Sequence, residues 1–158
     1  STTTAWAAAS RTSISSIMSP DEKARKIVNL MMEKDAFSGW MGIKILHAGP
    51  GYCTLVAAIT PEMTNGFEVC HGGVTFSIAD SALAFASNSH GIKSVSIETS
   101  ISHTKPVRVG DLIRAEAAEQ HLSDKLATYH VTLTNQLGET VALFKGTVYR
   151  TGREWETN

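Results

Sequence analysis

The chain has 158 residues, enough for one domain with one buried core, and its 14 basic and 15 acidic residues give a net charge of −1. The lack of a basic run argues against a nucleic-acid surface, and no apolar stretch approaches the roughly 18–20 residues that span a membrane. Two cysteines, Cys53 and Cys70, lack the spacing of a zinc site or a disulfide framework. We therefore expect no metal site and a reducing, cytoplasmic compartment.

The chain opens with a segment that lies outside the predicted fold. Residues 1–19 are rich in Ser, Thr and Ala and contain no acidic residue, which favours an arm or leader, with an organelle-targeting peptide as the alternative. A helix follows, because Ser19 can cap it, Pro20 suits its first turn and Glu22 completes a capping box. Apolar residues at helical spacing carry this helix to Lys34. We expect one domain over residues 20–151 and a tail over 152–158.

The rest of the chain alternates between predicted strands and one long helix. The predicted helix covers Gly72–Ser89, and the last strand is apolar on both faces, which favours a central place in the sheet. Together the elements predict an α+β fold in which an antiparallel sheet packs on one buried helix. The predicted strands are Ile43–His47, Tyr52–Thr60, Ser94–Thr104, Leu112–Leu122, Lys125–Asn135 and Thr140–Arg150.

Asp80 is the one formally charged residue between Val69 and Ile92. A carboxylate buried without a partner costs several kcal/mol, and no Lys or Arg lies within two helical turns of Asp80. Two interpretations stay open at this point. Asp80 either faces a functional cleft or lies on an exposed outer face of the helix.

The start of the long helix is a second candidate site. Its first N–H groups are free, and the paired glycines Gly72 and Gly73 allow a ligand to approach them closely. Such a donor can hold a carbonyl oxygen that becomes an oxyanion, although a plain strand-to-helix turn has the same sequence. His71 is a base, a metal ligand or, more commonly, a cap. A nucleophilic pair with Cys70 is disfavoured, because adjacent side chains seldom point at each other.

Eight residues separate Gly72 from Asp80, which is about 12 Å along a helix. One reacting carbon cannot lie within reach of both groups in a single chain. If both act on the same bond, they must come from different subunits with their helices side by side.

Three further polar residues are weaker candidates. Asn65 precedes a glycine and can be a turn residue or a site residue. Lys105 and Arg108 lie between predicted strands, where they form a solvated rim or hold the phosphates of a nucleotide carrier.

Three segments carry a family resemblance over roughly Glu33 to Thr151. They are Met63–Gly66, Cys70–Asp80 and Ala84–Ser89 followed by Gly91. Their combined spacing resembles the signature of the hotdog-fold acyl-CoA thioesterases, in particular the PaaI branch that acts in phenylacetate degradation. The resemblance implies a sheet wrapped around one long central helix, a homodimer that pairs into a homotetramer, and active sites at the dimer interface.

The resemblance also implies roles for individual residues. Asp80 matches the catalytic carboxylate, as nucleophile or as base for water, and the Gly72 N–H matches the donor to the thioester carbonyl. His71 matches a residue that shapes the turn, and Asn65 one that orients water or substrate. Substrate contacts are expected from Gly73, Phe76, Leu83, Lys105 and Arg108.

The expected reaction is hydrolysis of a phenylacetyl, hydroxyphenylacetyl or medium-chain acyl-CoA. Coenzyme A is part of the substrate, so we expect no separate cofactor, metal, nucleic acid or membrane partner. A hotdog hydratase is disfavoured, because Phe85 stands where that pattern has a histidine. A non-catalytic acyl-CoA-binding protein of the same fold is the alternative, which intact Asp80 and Gly72 argue against.

Overall fold

A computed structural model describes residues 18–157, so nearly all of the predicted arm, residues 1–19, lies outside the described residues. The first helix, α1 (Pro20–Lys34), begins as predicted, because the Glu22 N–H donates to the Ser19 hydroxyl (3.1 Å). Its buried face, formed by Ala24, Ile27 and Val28, packs into the core. The capping residue and the apolar spacing therefore fix this helix together.

Two short helices were not expected. Asp35 ends α1 and also caps α2 (Ala36–Trp40), since its carboxylate accepts the Ser38 N–H (2.9 Å) and hydroxyl (2.6 Å). A single 3-10 turn covers Pro61–Met63. Neither is long enough to show a helical repeat in its sequence.

Six strands form one antiparallel sheet in the order β1-β2-β4-β5-β6-β3. The last strand by sequence lies between two others, in agreement with the prediction of a central strand. The first five strands begin and end within two residues of their predicted bounds. The strands are β1 (Lys44–Gly49), β2 (Tyr52–Ala58), β3 (Ile92–His103), β4 (Leu112–Leu122), β5 (Leu126–Thr134) and β6 (Thr140–Glu154).

The last strand is longer than expected. The predicted end at Arg150, with a tail from residue 152, is wrong, because β6 continues to Glu154, which pairs with Ile92. Trp155 then donates its indole N–H to the Asn88 side chain (2.9 Å) and its backbone N–H to Gly91 (2.8 Å). These contacts extend the fold past the predicted boundary.

The long helix α3 (Gly72–Asn88) lies against the sheet and supplies much of the core. Ile78, Ala79, Leu83 and Phe85 are at most 1% exposed. The helix approaches β6 closely at Gly146, where an added Cβ would lie 2.5 Å from Leu83 Cδ2. This arrangement confirms the hotdog fold, a sheet wrapped around one central helix.

β3 is an edge strand, and it exposes apolar side chains. Val95 is 55% and Ile97 60% exposed. The sequence predicts that both share one face with Thr99 and Ile101, but the pairing with β6 shifts register between Ser96 and Glu98 and breaks that alternation. The described chain thus has an apolar, unpaired edge beside α3.

Candidate active site

Asn65 organises the loop that leads into α3. The side-chain oxygen of Asn65 accepts the backbone N–H groups of Phe67 (2.9 Å) and Val69 (3.4 Å). The backbone N–H of Asn65 donates to the Val69 carbonyl (2.8 Å). A bridge between Thr64 and Cys70 closes the loop. The oxygen of Asn65 therefore serves the turn, and its side-chain nitrogen is the group left for a ligand.

His71 caps the helix. The Gly73 N–H donates to Nδ1 of His71 (2.8 Å), and the His71 N–H donates to the Met63 carbonyl (2.7 Å). The capping interpretation of His71 is confirmed by this geometry. It also means that the N–H of Gly73 is occupied, whereas the N–H of Gly72 donates to none of the residues between 18 and 157.

Gly72 lines a cleft of about 340 Å³. Its wall includes Cys70, Thr75, His103 and Lys105. The ring of His103 leaves little room above Gly72, because a Cβ added there would lie 3.2 Å from the ring carbon Cε1. A side chain at position 72 would therefore require the ring of His103 to move by a few tenths of an ångström, while the backbone angles of Gly72 are ordinary.

The two cysteines are poorly suited to nucleophilic chemistry. Burial raises the pKa of Cys53 to about 12, and burial together with the nearby Asp111 carboxylate raises the pKa of Cys70 to about 11. The Cys70 thiol contacts the backbone oxygen of His71 (3.5 Å) rather than its ring. This geometry disfavours a Cys70–His71 pair, as expected. Between residues 18 and 157 no group of three or more His, Cys, Asp or Glu residues could hold a metal ion.

Asp80 lies half-buried in a second cleft of about 300 Å³. Within residues 18–157 its carboxylate has no ion-pair or hydrogen-bond partner, and burial raises the pKa of that carboxyl above its ordinary value. The cleft is formed by α3 on one side and by Ser94, Val95 and Ser96 of β3 on the other. The interpretation of Asp80 as a cleft residue is therefore favoured over a fully exposed position.

The structure brings only some of the expected substrate residues to a cleft. Leu83 lines the Asp80 cleft, and Lys105 lines the Gly72 cleft, where it forms an ion pair with Glu139. Phe76 packs edge-on against Phe144 (5.5 Å between centroids) and lines neither cleft.

Arg108 is exposed, and its backbone N–H donates to Asp111 (2.9 Å). Arg108 lines neither cleft, whereas Lys105 lines the Gly72 cleft.

Gly72 and Asp80 open on different clefts with no lining residue in common. Both residues belong to one continuous helix, so the separation of about 12 Å expected from their spacing holds in the folded chain. One chain therefore offers two halves of a candidate site that do not meet.

Sequence reasoning missed two residues beside these clefts. Ser96 lies in the Asp80 cleft with a hydroxyl that has no hydrogen bond to other described residues, and His103 lies in the Gly72 cleft. Both belong to β3, and the alternation of that strand could have placed Ser94 and Ser96 on one face. The register shift after Ser96 hides which face meets the helix.

Comparisons with known proteins identify the family to which this fold belongs. The model of the thioesterase superfamily matches residues 67–142. Acyl-coenzyme A thioesterase PaaI of Escherichia coli (strain K12) is 36% identical over 130 residues, which cover 82% of this chain and 93% of that protein. The chain belongs to the thioesterase superfamily.

Solved structures place the chain within that family more narrowly. The structure of the E. coli PaaI protein from the phenylacetic acid degradation operon matches with a TM-score of 0.85 and 35% identity, over 86% of this chain and 99% of that one. A Streptococcus mutans protein bound to acetyl-CoA matches with a TM-score of 0.70 and 25% identity, over 72% of this chain and 91% of that one. The resemblance to the PaaI branch of the hotdog-fold thioesterases is thereby confirmed, and the protein is an enzyme of this class. No helix within residues 18–157 is long and apolar enough to cross a membrane.

Proposed function

We propose that this protein hydrolyses phenylacetyl-CoA, hydroxyphenylacetyl-CoA or a similar aryl or medium-chain acyl-CoA to the free acid and coenzyme A. The observation that carries this proposal is an unpaired, half-buried carboxylate in a cleft, on the same helix whose first residue, Gly72, lines another cleft and has a free N–H. A thioester carbonyl needs both a donor to its oxygen and an activated nucleophile.

The two halves of the site come from two subunits in this proposal. The apolar edge strand β3 forms one wall of the Asp80 cleft, and its exposed Val95 and Ile97 lie at the edge where a second copy can dock. A two-fold dimer built on this edge would place Gly72 of one protomer opposite Asp80 of the partner subunit and form two identical sites.

The chemistry follows from these parts. The Gly72 N–H stabilises the negative charge that develops on the thioester oxygen, and Asp80 of the partner subunit either takes a proton from water or attacks the carbonyl carbon. The carbon–sulfur bond then breaks, and the thiolate of coenzyme A leaves with the electron pair and takes up a proton. Water and the thioester supply all the atoms of the products, so the reaction needs no separate cofactor.

The nucleotide end of coenzyme A is assigned to the exposed cations. Arg108 is free to meet a phosphate, and Lys105 can do so by exchanging the Glu139 carboxylate for it. Pairs of dimers then associate into a tetramer. The exposed apolar residues on the outer face of the sheet, Leu126, Leu143 and Tyr149, support such an association.

The test is free-thiol release from phenylacetyl-CoA and a panel of acyl-CoAs by the wild type and Asp80→Asn. We expect kcat to fall by about 10²–10⁴ in the variant, since the base or nucleophile is lost while the volume of the side chain is kept. The matched control is Asp124→Asn, at an exposed position that lines neither cleft. Full activity in Asp80→Asn would contradict the assignment, and tight binding of every acyl-CoA without turnover by the wild type would support the non-catalytic alternative.

A single turnover in ¹⁸O-labelled water separates the two roles of Asp80. A nucleophilic Asp80 forms a mixed anhydride, and its hydrolysis by attack of water on the aspartyl carbon leaves ¹⁸O in the enzyme. A general base leaves ¹⁸O only in the acid that is released, as does attack of water on the acyl carbon of the anhydride, so label in the enzyme is the outcome that identifies a nucleophilic Asp80. Mass spectrometry of the peptide that contains Asp80 reads the difference.

A further inference from the structure

His103, at the end of β3, contacts the first turn of α3. Its ring nitrogen Nε2 lies 2.7 Å from the Thr75 hydroxyl, which in turn donates to the Gly72 carbonyl (3.0 Å). The same ring covers Gly72, since a Cβ added to this glycine would lie 3.2 Å from Cε1 and 3.6 Å from Nε2. One imidazole thus reaches Gly72 both directly and through Thr75.

The tautomer of His103 is assigned from its hydrogen-bond partners. The Thr75 hydroxyl has one proton, which it gives to the Gly72 carbonyl, so its oxygen accepts from His103. Nε2 of His103 is therefore protonated, in the neutral ring and in the charged ring alike. Thr75 is only 2% exposed, whereas His103 is an exposed residue at the end of β3.

We propose that His103 is a positioning residue for Gly72 and acts through Thr75. This inference rests on the proposed function of the Gly72 N–H as the donor to the thioester oxygen. The ring holds the Thr75 hydroxyl in the orientation that fixes the Gly72 carbonyl, and it packs over Gly72 itself. The direction of the neighbouring Gly72 N–H is then set before substrate binds, and such preorganisation is what makes an oxyanion donor effective.

The structure separates this role from acid–base catalysis. The contact with Thr75 uses a proton that His103 keeps whether or not the ring is charged. A positioning role therefore predicts that the shape of the pH–rate profile is the same with and without the imidazole. Proton transfer by His103 predicts the loss of one limb of that profile.

The first experiment compares His103→Leu with His103→Gln. Gln can place an N–H donor near the position of Nε2, whereas Leu fills similar space without a donor. We expect kcat to fall roughly 10- to 100-fold in His103→Leu with a much smaller change in KM, and His103→Gln to recover most of that loss. His121→Leu, at an exposed position on β4, is the matched control and should behave as the wild type.

The second experiment tests whether His103 acts through Thr75. In a Thr75→Val background, His103→Leu should lower kcat by less than about twofold further, because the chain of hydrogen bonds is already broken. Thermal unfolding of each variant checks that the fold is kept. The amide resonance of Gly72 in a ¹H–¹⁵N spectrum gives a readout without substrate, and it should move in His103→Leu and return in His103→Gln.

Three outcomes would overturn the inference, namely an unchanged kcat in His103→Leu, a loss confined to KM, or the disappearance of one limb of the pH profile in His103→Gln. Absence of acyl-CoA hydrolysis by the wild type would instead contradict the proposed function. In that case the Gly72 amide resonance still decides whether His103 sets the orientation of Gly72.

Discussion

The folded state is less stable with a charged Asp80 carboxylate than with a neutral Asp80 carboxyl group. Burial raises the pKa of its carboxyl, so the folded chain holds this proton more tightly than the unfolded chain does. The stabilisation from proton binding is present below the ordinary pKa of an aspartate and is lost as pH rises through the raised pKa. At neutral pH the fold therefore tolerates an unpaired charge that the proposed reaction would use.

From this we expect Asp80→Asn to melt at a higher temperature than the wild type at pH 7. The amide removes the charge and keeps the shape, so the gain should shrink as pH falls and the wild-type carboxyl becomes protonated. Thermal unfolding of both proteins between pH 4 and pH 8 checks this. A gain in melting temperature of equal size at every pH would show that packing, rather than charge, causes the difference in stability between Asp80→Asn and the wild type.

Single residues were predictable from sequence where the signal is local. The isolation of Asp80 depends only on the missing charges around it, and the cap formed by His71 depends only on the next two residues. Ser96 and His103 were missed, because their contacts with α3 depend on how β3 lies against that helix. The roles of Asp80, Gly72 and Asn65 came from the family resemblance and stay predictions.

At the level of elements, the contact between α3 and β6 depends on Gly146. A Cβ at this position would lie 2.5 Å from Leu83 Cδ2 and 3.2 Å from the Phe144 ring, and both side chains are buried. Leu83 would have to turn towards the Asp80 cleft that it lines, or the helix and the strand would have to move apart.

Gly146→Ala should lower the free energy of unfolding by about 1–3 kcal/mol, the usual cost of overpacking a core. Gly39→Ala is the control, because Gly39 lies in helix α2 with no atom within 4 Å of an added Cβ. That variant should be neutral or more stable by up to about 1 kcal/mol. Denaturant unfolding measures both, and equal stabilities would contradict the contact between Leu83 and β6.

The edge of β3 gives a second prediction at this scale. Ile97→Lys places a charge on an unpaired edge and should separate the proposed dimer into monomers, with at least a tenfold loss of kcat/KM. Leu137 is also apolar and is 75% exposed, in the turn between β5 and β6. Leu137→Lys should leave the proposed dimer and kcat/KM unchanged. Light scattering after gel filtration gives the mass, and a fully active Ile97→Lys dimer would place the interface elsewhere.

Elements were predicted well where periodicity runs over many residues. The six strands and both long helices show a repeat of two or of 3.6 in the sequence. Helix α2 was missed, because five residues around a glycine carry no periodic signal, and it forms through the Asp35 cap. The end of β6 was missed, because residues 151–154 are polar and are held by pairing with β3.

On the scale of the whole molecule, the separation of Gly72 from Asp80 predicts complementation between two inactive chains. Gly72→Pro removes the N–H, and proline fits the first turn of a helix after the extended backbone of His71. Its added Cβ requires the ring of His103 to shift by a few tenths of an ångström. In a 1:1 mixture of this variant with Asp80→Asn, half of the dimers are mixed. Each mixed dimer contains one intact site and one doubly altered site.

The mixture should therefore recover about one quarter of the wild-type activity per mass of protein. Co-expression of the two variants with different affinity tags, followed by purification through both tags, gives the mixed dimer alone. Its activity per mass of protein should reach about one half of the wild-type value. Each variant by itself supplies the background. A mixed dimer that is verified by mass and still inactive would count against sites shared between subunits.

The place of β3 in the sheet also sets the order in which the protein matures during translation. Within the described chain β3 pairs only with β6, and two other strands lie between them in sequence. The ribosome must therefore release residues 140–154 before β3 can leave its unpaired state. Because β3 forms one wall of the Asp80 cleft, the ribosome adds Asp80 to the chain well before the strand pairing that completes this cleft can form.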